Sequence, residues 1–508
     1  MTAAETAPIR TRDPAPTLAA LARAIGVVAP GRAARLPVTA LTDDSRQCAP
    51  GTLFFAVPGG RDDGVRYLEQ AAAQGAVAAV VPGGTPASAS RSGLPLLAVA
   101  SVRLAKALAA QAFHGHPARA LLTIGITGTK GKTTTASFLR AILAEAELKP
   151  SLLGTIEEQV WSRPARSATH TTPDALRLAA FMDEARAAGG KSLVMEVSSH
   201  ALDQERVAGI PFRAAVFTQL AREHLDYHPT VEHYRDSKAR LFSGLGSDAV
   251  AVLNAEDGNA LDLVARCRAR VLTFGEVPAA HVRLRAVEAA VGGSRAELEL
   301  SRELGGGGLV LAVAMAGRHN LLNAVGAATA ALGLGIAPAI VARGVAALRS
   351  VPGRLEPVAA GQPFAVLVDY AHTDDALEKV LRLLRPLARG RLVTVFGCGG
   401  DRDRTKRPRM GRVAALHSDL VVVTSDNPRT EEPERILAEV TAGIPAHVEH
   451  VVEPDRRTAI ALALADRAAN DVVLIAGKGH EDYQLVGDRK LRFDDREVAR
   501  EILCRRFA

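Results

Sequence analysis

Cysteine is scarce in this 508-residue chain, and its rarity excludes several kinds of protein. The four cysteines are scattered without a CxxC pair, which argues against a disulfide framework or a zinc site and for a reducing compartment. No apolar run approaches the length of a membrane span. No block of Lys and Arg with interleaved aromatic residues indicates a nucleic-acid surface. We therefore expect a protein of the cytoplasm that neither crosses a membrane nor binds nucleic acid.

The residues that are abundant indicate a soluble globular protein with several cores. Hydrophobic residues make up 48% of the chain and charged residues 23%. A chain of this length is too long for one core and suggests about three domains. The formal net charge of +7 is modest and fits anionic small substrates. Residues 1–16 are polar, contain proline and lack the apolar segment of a signal peptide, so we expect a loose tail there.

The strongest motif is a glycine-rich turn between an apolar strand, predicted at 121–126, and a helix, predicted at 133–147. Glycines let backbone N–H groups face an anion, and the helix N-terminus adds partial positive charge. Lys132 would reach the β- and γ-phosphates of a nucleotide, and the hydroxyl of Thr133 would bind Mg²⁺. Ile126 replaces the first glycine of the usual P-loop, which leaves a turn without a ligand as the alternative. The turn residues that we assign to nucleotide binding are Gly128, Thr129, Lys130, Gly131, Lys132, Thr133 and Thr134.

Charged residues follow the next predicted strands of the same parallel sheet. The strand at 192–197 carries Glu196 at its end, and the strand at 214–219 is followed by His224. Ligands bind beyond the carboxyl ends of parallel strands, so both side chains are candidates for a magnesium site. A surface or helix-capping carboxylate is the alternative for Glu196. Lys238, on a predicted helix, has by itself the pattern of a surface lysine.

The segment before the glycine-rich turn and the segment after residue 350 form units of their own. In the first, Ser45 and Arg46 lie at a loop edge, where they could bind a phosphate or a base, although such a dipeptide is more often a solvated turn. In the last, strands and helices alternate, which predicts a second doubly wound α/β domain. Charged or glycine-rich runs follow its four predicted strands at 365–369, 392–396, 420–424 and 472–476. No GxGxxG is present, so we discount dinucleotide binding.

Taken together, these motifs resemble the Mur ligase family over nearly the whole chain beyond the tail. The general family features are the glycine-rich turn, Glu196 with Ser-Ser-His after it, Arg-His-Asn at 318–320, Pro-Gly-Arg at 352–354 and Asp-Tyr-Ala-His at 369–372. The family also lacks the first P-loop glycine. Runs at 44–46, 171–173, 399–403, 426–429 and 477–483 are similar to those of the family members that add meso-diaminopimelate. One departure is Asp374, where proline is expected, and it affects only a loop.

The resemblance implies an α/β protein of three domains that joins an amine to a carboxylate at the expense of ATP in peptidoglycan synthesis. We expect a domain for the UDP-linked substrate at 17–115, a central P-loop ATPase-like α/β domain at 116–350 and a Rossmann-like doubly wound domain for the amino acid at 351–508. We expect the chain to act as a monomer.

The resemblance also implies roles for individual residues. The UDP-N-acetylmuramoyl-dipeptide would be held by Ser45, Arg46, Thr171, Thr172, Ser198, Gln204 and Arg206. ATP would be held by the glycine-rich turn together with Asn320, Arg354 and Asp369. Mg²⁺ would be held by Thr133, Glu196, His224 and Lys238, the last as an N6-carboxylysine, the carbamate of lysine. The incoming amino acid would be held by Arg402, Asp426, Asn427, Pro428, Arg429, Gly477 and Glu481.

The chemistry of these side chains favours meso-diaminopimelate over L-lysine as the incoming amino acid. Diaminopimelate carries a second carboxylate, and a guanidinium such as that of Arg429 is its natural partner. Asp426 and Glu481 can take the distal ammonium group. The nearest alternatives are another ligase on the same scaffold, such as a folylpolyglutamate synthetase, and a P-loop switch protein without ligase activity. The first domain argues against the former, and the charged strand ends of the last domain argue against the latter.

Overall fold

The computed structural model divides the chain into two compact units. It describes residues 14–59, 63–221, 223–224 and 226–507, and the backbone of 9–10. Unit 1 comprises Met1–Arg283, Glu299–Gly307 and Val325–Gly344, and unit 2 comprises Leu284–Leu298, Gly308–Ala324 and Val345–Ala508. The predicted tail falls mostly outside the described residues. Within the described part, every helix is too short or too polar to cross a bilayer.

A five-stranded sheet begins unit 1. Its elements are β1 (Ile9–Arg10), α1 (Leu18–Ala24), β2 (Ala40–Thr42), β3 (Thr52–Phe55), α2 (Leu68–Ala73), β4 (Ala76–Pro82), β5 (Leu96–Val99) and α3 (Val102–Phe113). The strands lie in chain order, parallel except for β1. Both faces are covered, because Leu53 and Phe55 join one apolar cluster while Phe54, between them, joins another.

The central sheet of unit 1 is mostly parallel, as predicted. Its elements are β6 (Leu122–Thr127), α4 (Lys132–Glu145), β7 (Pro150–Leu153), β8 (Glu157–Gln159), β9 (Arg166–Ser167), α5 (Ala175–Ala187), β10 (Ser192–Glu196), α6 (Ser199–Asp203), β11 (Ala214–Phe217), α7 (Val231–Ser243), β12 (Val250–Asn254), α8 (Ala260–Leu263) and β13 (Arg270–Gly275). Within unit 1 the strand order is β13, β12, β11, β6, β10, β7, β8, β9, and only β8 and β9 run antiparallel to their neighbours. The carboxyl ends of β6, β10 and β11 therefore lie side by side.

Residues between 282 and 347 are shared between the units. They form β14 (Val282–Ala290), β15 (Gly293–Leu300), β16 (Gly308–Val313), α9 (Arg318–Gly333) and α10 (Pro338–Ala347). The three strands are neighbours in the sheet, and their sequence alternates and is broken by glycines at 305–308, a pattern typical of hairpins. Helix α9 begins at Arg318, with Asn320 in its first turn.

Unit 2 is built on a six-stranded sheet with apolar clusters on both faces. Its elements are β17 (Glu356–Pro357), β18 (Ala365–Asp369), α11 (Asp374–Leu384), β19 (Leu392–Phe396), α12 (Lys406–His417), β20 (Leu420–Val423), α13 (Pro433–Thr441), β21 (His450–Val452), α14 (Arg456–Leu464), β22 (Val472–Ala476), β23 (Tyr483–Val486), β24 (Arg489–Arg492) and α15 (Asp495–Phe507). The order is β17, β18, β22, β19, β20, β21, and all but β17 are parallel. Alternate residues of each central strand enter opposite clusters, which confirms the doubly wound prediction.

Candidate active site

The glycine-rich turn has the backbone form of an anion cradle. It connects β6 to α4, and Gly128 within it has φ +146°. A Cβ at this position would lie 2.0 Å from the hydroxyl oxygen of Thr218, so only glycine fits. Gly131 precedes the first turn of α4, and no side chain among the described residues caps that helix end. The N-terminus of α4 is thus of the kind that binds phosphate.

Lys132 folds back over this turn. Its Nζ donates to the carbonyl oxygens of Gly128 at 2.8 Å and Thr129 at 3.0 Å. Lys132 is therefore held at the cradle by main-chain oxygens, which a phosphate oxygen can replace as the partner of the ammonium group. In the same turn, the hydroxyl of Thr129 lies 3.1 Å from the Tyr234 hydroxyl.

Lys238 is buried, so the expectation of a surface lysine is wrong. Its exposed fraction is 1%, because α7 turns this residue toward the glycine-rich turn. Its Nζ donates to the carbonyl oxygen of Gly128 at 3.1 Å and lies 4.3 Å from the centre of the Tyr234 ring. Burial, and then the charge of Lys132, hold the pKa of Lys238 well below its ordinary value. This setting disfavours the ammonium form of the amine.

Glu196 lies at the end of β10, as predicted, and is 1% exposed. Its two carboxylate oxygens accept from the main-chain N–H of Thr155 at 2.8 Å and from the Thr155 hydroxyl at 3.0 Å. A Cβ at Gly154 would lie 2.8 Å from the carboxylate, so the loop after β7 needs glycine there. The alternative of a helix-capping or surface carboxylate is wrong, since Glu196 is buried and binds a loop.

His224 lies among other aromatic side chains at the end of β11. It is exposed, and its ring is 5.1 Å, edge to face, from that of His200. Burial and then the neighbouring His224 lower the pKa of His200. His228, which is fully buried, lies 2.9 Å through Nε2 from the Ser199 hydroxyl, and burial lowers its pKa to about 4. No group of three or more His, Cys, Asp or Glu in the described part of the chain is arranged to hold a metal by itself.

The residues predicted for the dipeptide part of the substrate form one network. Thr172 donates from its hydroxyl to the carbonyl of Glu196 at 2.8 Å and accepts from the main-chain N–H of Ser198 at 3.0 Å. Arg206 donates to the carbonyl of Thr172 at 2.7 Å and to Gln204 Oε1 at 2.7 Å. Thr171 joins through Thr155, whose hydroxyl oxygen lies 3.0 Å from that of Thr171. These side chains lie directly beside Glu196.

In the first sheet region, Ser45 and Arg46 follow β2 in a short 3₁₀ turn. Ser45 is buried and donates to Gln70 Oε1 at 2.8 Å. The guanidinium of Arg46 is largely exposed and forms a two-pronged pair with Asp44 at 2.9 and 2.8 Å. The arginine therefore presents a guanidinium at the surface while its neighbour anchors the turn.

The remaining predicted nucleotide-binding residues lie in unit 2. Asp369, at the end of β18, is buried and accepts from the main-chain N–H groups of Leu355 at 2.8 Å and Ala371 at 2.9 Å. Burial raises its pKa, against those two hydrogen bonds and the nearby Arg354. The guanidinium of Arg354 lies 5.9 Å from the centre of the Tyr370 ring. Asn320 donates to the Ala316 carbonyl at 2.8 Å and is buried.

The run that follows β20 is held mostly by its own neighbours. Asn427 donates to Glu481 Oε2 at 3.0 Å, and its Oδ1 accepts from Lys478 Nζ at 3.2 Å and from the main-chain N–H of Leu485 at 2.9 Å. The nitrogen and the oxygen of the Asn427 amide therefore both bind neighbouring residues, and these contacts stabilise the site. Arg429 has φ +53° and donates to the carbonyl of Gly400 at 2.7 Å.

Other predicted residues of this rim differ in exposure. Arg402 is exposed, whereas Asp426 and Pro428 are buried. Gly477, with φ +113°, leads out of β22, and a Cβ there would lie 3.1 Å from Asp426 Oδ2. Charged groups from the ends of β19, β20 and β22 thus meet on one rim, as parallel topology requires.

Three features of the site escaped sequence reasoning. Thr155, which binds Glu196, lies in a loop without a motif. The burial of Lys478 was missed because lysine in a glycine-rich loop is normally solvated. The hairpin of β23 and β24 was missed too, although Gly487 and Asp488 between alternating residues are a recognised turn signal.

Comparison with known proteins agrees with this geometry. Residues 37–115 match the Mur ligase family catalytic domain, 126–331 the Mur ligase middle domain, and 353–479 the Mur ligase glutamate ligase domain. The chain is 44% identical over 473 residues to the UDP-N-acetylmuramoyl-L-alanyl-D-glutamate–2,6-diaminopimelate ligase of Solibacter usitatus, with 92% of this chain and 94% of the relative covered. It is 45% identical to the ligase of the same name from Gloeobacter violaceus, with 93% and 95% covered.

A solved structure of a UDP-N-acetylmuramoyl-L-alanyl-D-glutamate–2,6-diaminopimelate ligase has the same fold. Its TM-score is 0.74 at 30% identity, with 95% of this chain and 98% of that chain covered. The similarity therefore extends over more than nine-tenths of this chain and of these relatives. The chain belongs to the Mur ligase family.

Proposed function

We propose that this chain joins meso-2,6-diaminopimelate to UDP-N-acetylmuramoyl-L-alanyl-D-glutamate in an ATP-dependent amide ligation of peptidoglycan synthesis. Relatives that cover more than nine-tenths of the chain carry that name. The observation that carries the choice of amino acid is the rim of unit 2, where Arg429 lies in the same run as buried Asp426. A guanidinium beside carboxylates suits an end that bears both a carboxylate and an ammonium group.

ATP binds at the glycine-rich turn, with its phosphates against the N-terminus of α4 and with Lys132 exchanging main-chain oxygens for phosphate oxygens. Asn320, Arg354 and Asp369 are assigned to the same nucleotide. Buried Asp369 fixes the main chain at Leu355, next to Arg354, by accepting its N–H.

The donors near the turn fit Mg²⁺. They are hard oxygen donors, the hydroxyl of Thr133 and the carboxylate of Glu196, and Mg²⁺ usually takes only one or two carboxylates together with waters and phosphate oxygens. His224 and Lys238 are assigned to the same metal site. When bound, Mg²⁺ supplies charge screening between the attacking carboxylate and the γ-phosphate.

Lys238 reaches that role by carbamylation. Its neutral amine attacks CO₂, an N–C bond forms, and one proton leaves to solvent, which converts the neutral amine into an anion with two oxygens. The support is its burial beside Lys132, which disfavours the ammonium form.

The reaction needs an activated carboxylate, because the γ-carboxylate of the glutamyl residue is a poor acylating group. Transfer of the γ-phosphoryl group from ATP gives an acyl phosphate, the amine of diaminopimelate attacks its carbonyl carbon, and phosphate leaves. Lys132 stabilises charge that develops on the transferred group. Thr171, Thr172, Ser198, Gln204 and Arg206 orient the substrate peptide beside Glu196. Ser45 and Arg46 hold its UDP part.

On the amino-acid side, Arg429 and Arg402 bind the distal carboxylate, and Asp426 and Glu481 bind the distal ammonium group. Asn427, Pro428 and Gly477 shape that site. We infer further that the protein acts as a monomer in the cytoplasm.

The test is phosphate release from ATP, measured with each substrate left out in turn. We expect release only when the UDP-linked dipeptide and meso-diaminopimelate are both present, and much weaker release with L-lysine. Release without any amine would favour a P-loop ATPase or switch protein. Release with a folate substrate and glutamate would favour a folylpolyglutamate synthetase.

A further inference from the structure

Lys478 is fully buried, and no step described above uses it. It follows β22 in the glycine-rich loop between Ala476 and Glu481, and its exposed fraction is 0%. Its Nζ lies 3.4 Å from Glu481 Oε2 and 3.6 Å from Asp426 Oδ1. One ammonium group therefore lies between the two carboxylates that are assigned to the amino-acid substrate.

Asp426 has an oxygen that the protein leaves without a donor. The residue is 6% exposed, and its Oδ1 accepts no hydrogen bond from any described residue. A buried carboxylate oxygen is normally hydrogen-bonded. Lys478 supplies charge to this oxygen at 3.6 Å without a hydrogen bond, so a donor on the substrate can still bind there.

The hairpin of β23 and β24 fixes this arrangement. Gln484 donates to the main-chain carbonyl of Asp426 at 2.7 Å, and Leu485 binds both Asn427 and Arg429 through its main chain. The Tyr483 ring lies 5.5 Å from Lys478 Nζ. Burial, then Glu481, raises the pKa of Tyr483, while Arg429 opposes the rise, so charges of both signs lie near its hydroxyl.

Among the charged groups near this hydroxyl that are not exposed, the formal charge is balanced: Asp426 and Glu481 contribute two negative charges, and Arg429 and Lys478 contribute two positive charges. Asp482 and Lys490, which also lie near the ring, are exposed to solvent. The distal end of diaminopimelate is a zwitterion with no net charge, whereas the side chain of L-lysine is a cation. Without Lys478 the same groups would carry an excess negative charge, which favours a cation.

We propose that Lys478 is a positioning residue that sets amino-acid specificity, because its buried ammonium offsets one carboxylate and makes the site prefer a zwitterionic end to a cationic end. It acts through Asp426 and Glu481, whose separation and charge it fixes. The proposal rests on the proposed function and deepens it.

The experiment compares Lys478→Met and Lys478→Gln with the parent in steady-state titrations of meso-diaminopimelate and L-lysine. The matched control is Lys490→Met, since Lys490 Nζ also lies near the Tyr483 ring, 4.1 Å from its centre, but is exposed and pairs with no described carboxylate. We expect the ratio of kcat/KM for diaminopimelate to that for lysine to fall about tenfold or more in both Lys478 variants. The change should be in KM for the amino acid, with KM for ATP unchanged, and the control should keep the parent ratio.

The glutamine variant separates charge from packing. It retains a donor for Asn427 and Glu481 but no charge, so a parent-like ratio in Lys478→Gln would overturn the proposal. If the methionine variant does not fold, as judged by its thermal unfolding, the glutamine variant decides alone. A parent that ignores diaminopimelate would overturn the proposed function instead, whereas a selective parent with equally selective variants would overturn only the role of Lys478.

Discussion

Unit 1 and unit 2 each bury a lysine, and they do so in opposite electrostatic settings. Lys238 is 1% exposed and meets a carbonyl, the Tyr234 ring and the charge of a second lysine. Lys478 is 0% exposed and meets two carboxylates and an amide oxygen. In the described part of the chain no carboxylate forms an ion pair with Lys238. The same residue type, buried to the same extent, therefore lies in two electrostatic environments that favour different chemistry.

The difference teaches that counter-charge, more than burial, sets the chemistry of a buried lysine. Removing an ammonium group from water costs free energy, and only a partner of opposite charge can offset it. Lys478 has such partners. Lys238 has no carboxylate within ion-pair distance among the described residues, and only the charge of Glu223 opposes the lowering of its pKa, so its environment disfavours the ammonium form on which the proposed carbamylation depends.

The largest effect is expected for Lys132, whose positive charge lowers the pKa of Lys238. Lys132→Ala should lower phosphoryl transfer by about 10²- to 10³-fold, because it removes a charge that stabilises the transferred group. Binding of the UDP-linked dipeptide, measured by calorimetry, should stay near that of the parent. Lys191→Ala, at the other end of β10, is the matched control and should keep parent activity. A parallel loss of substrate affinity would show that the domains are assigned wrongly.

Lys238→Ala should also remove most activity, by about 10²-fold, if the carbamate supports the phosphate-binding metal. The variant should remain folded, and short-chain carboxylates or bicarbonate should partly restore its rate. The measurement is phosphate release with and without these additives. Full activity in the variant would mean that this buried lysine has no part in catalysis.

Arg429→Ala should weaken diaminopimelate use by about 2–3 kcal/mol, since the distal carboxylate loses a charge-assisted contact. The cost should appear in KM for diaminopimelate and much less in KM for ATP or the UDP-linked substrate. L-Lysine, which lacks that carboxylate, should be used poorly by the parent and no worse by the variant. A parent that prefers lysine would refute the specificity while leaving the ligase assignment intact.

The smallest effects are on stability, and they should have opposite signs for the two lysines. Lys478→Met should lower the free energy of unfolding by about 1–2 kcal/mol, because it leaves the buried carboxylate of Asp426 and the partly exposed carboxylate of Glu481 without their cation. Lys238→Met should raise the melting temperature at neutral pH in CO₂-depleted buffer.

The sign for Lys238 follows from proton linkage. Its folded pKa lies below its unfolded value, so between the two the unfolded chain binds a proton that the folded chain does not. The lowered pKa of Lys238 therefore reduces the free energy of unfolding at neutral pH, and this reduction disappears as the pH rises toward the ordinary lysine pKa. The rise in melting temperature that Lys238→Met produces should become smaller over the same pH range. Melting curves between neutral and alkaline pH test this, and a destabilised Lys238→Met would contradict it.

Both lysines also show how much of the fold and of the site can be predicted from the sequence. The glycine-rich turn and the charged strand ends were predictable, because a local pattern fixes the turn and parallel topology fixes which strand ends meet. Glu196 was placed correctly by that rule. The ligase specificity came from a resemblance carried by short runs such as the one at 426–429.

Burial was not predictable where tertiary contacts decide it. Lys238 is on a polar helix, and its burial depends on Tyr234 and the distant Gly128. Asn427 looks like a substrate ligand, yet its amide is engaged by Lys478, Glu481 and the β23 main chain. Apart from the contact of Lys238 with Tyr234, these contacts join residues more than fifty positions apart, which periodicity does not report.

The most direct measurement of the central claim is a ¹³C NMR spectrum of the protein in ¹³C-labelled bicarbonate. The account predicts a carbamate signal in the parent that persists in Lys478→Gln and disappears in Lys238→Met. A parent without that signal, or a signal that survives in Lys238→Met, would contradict the view that a buried lysine without a counter-charge becomes the reactive amine.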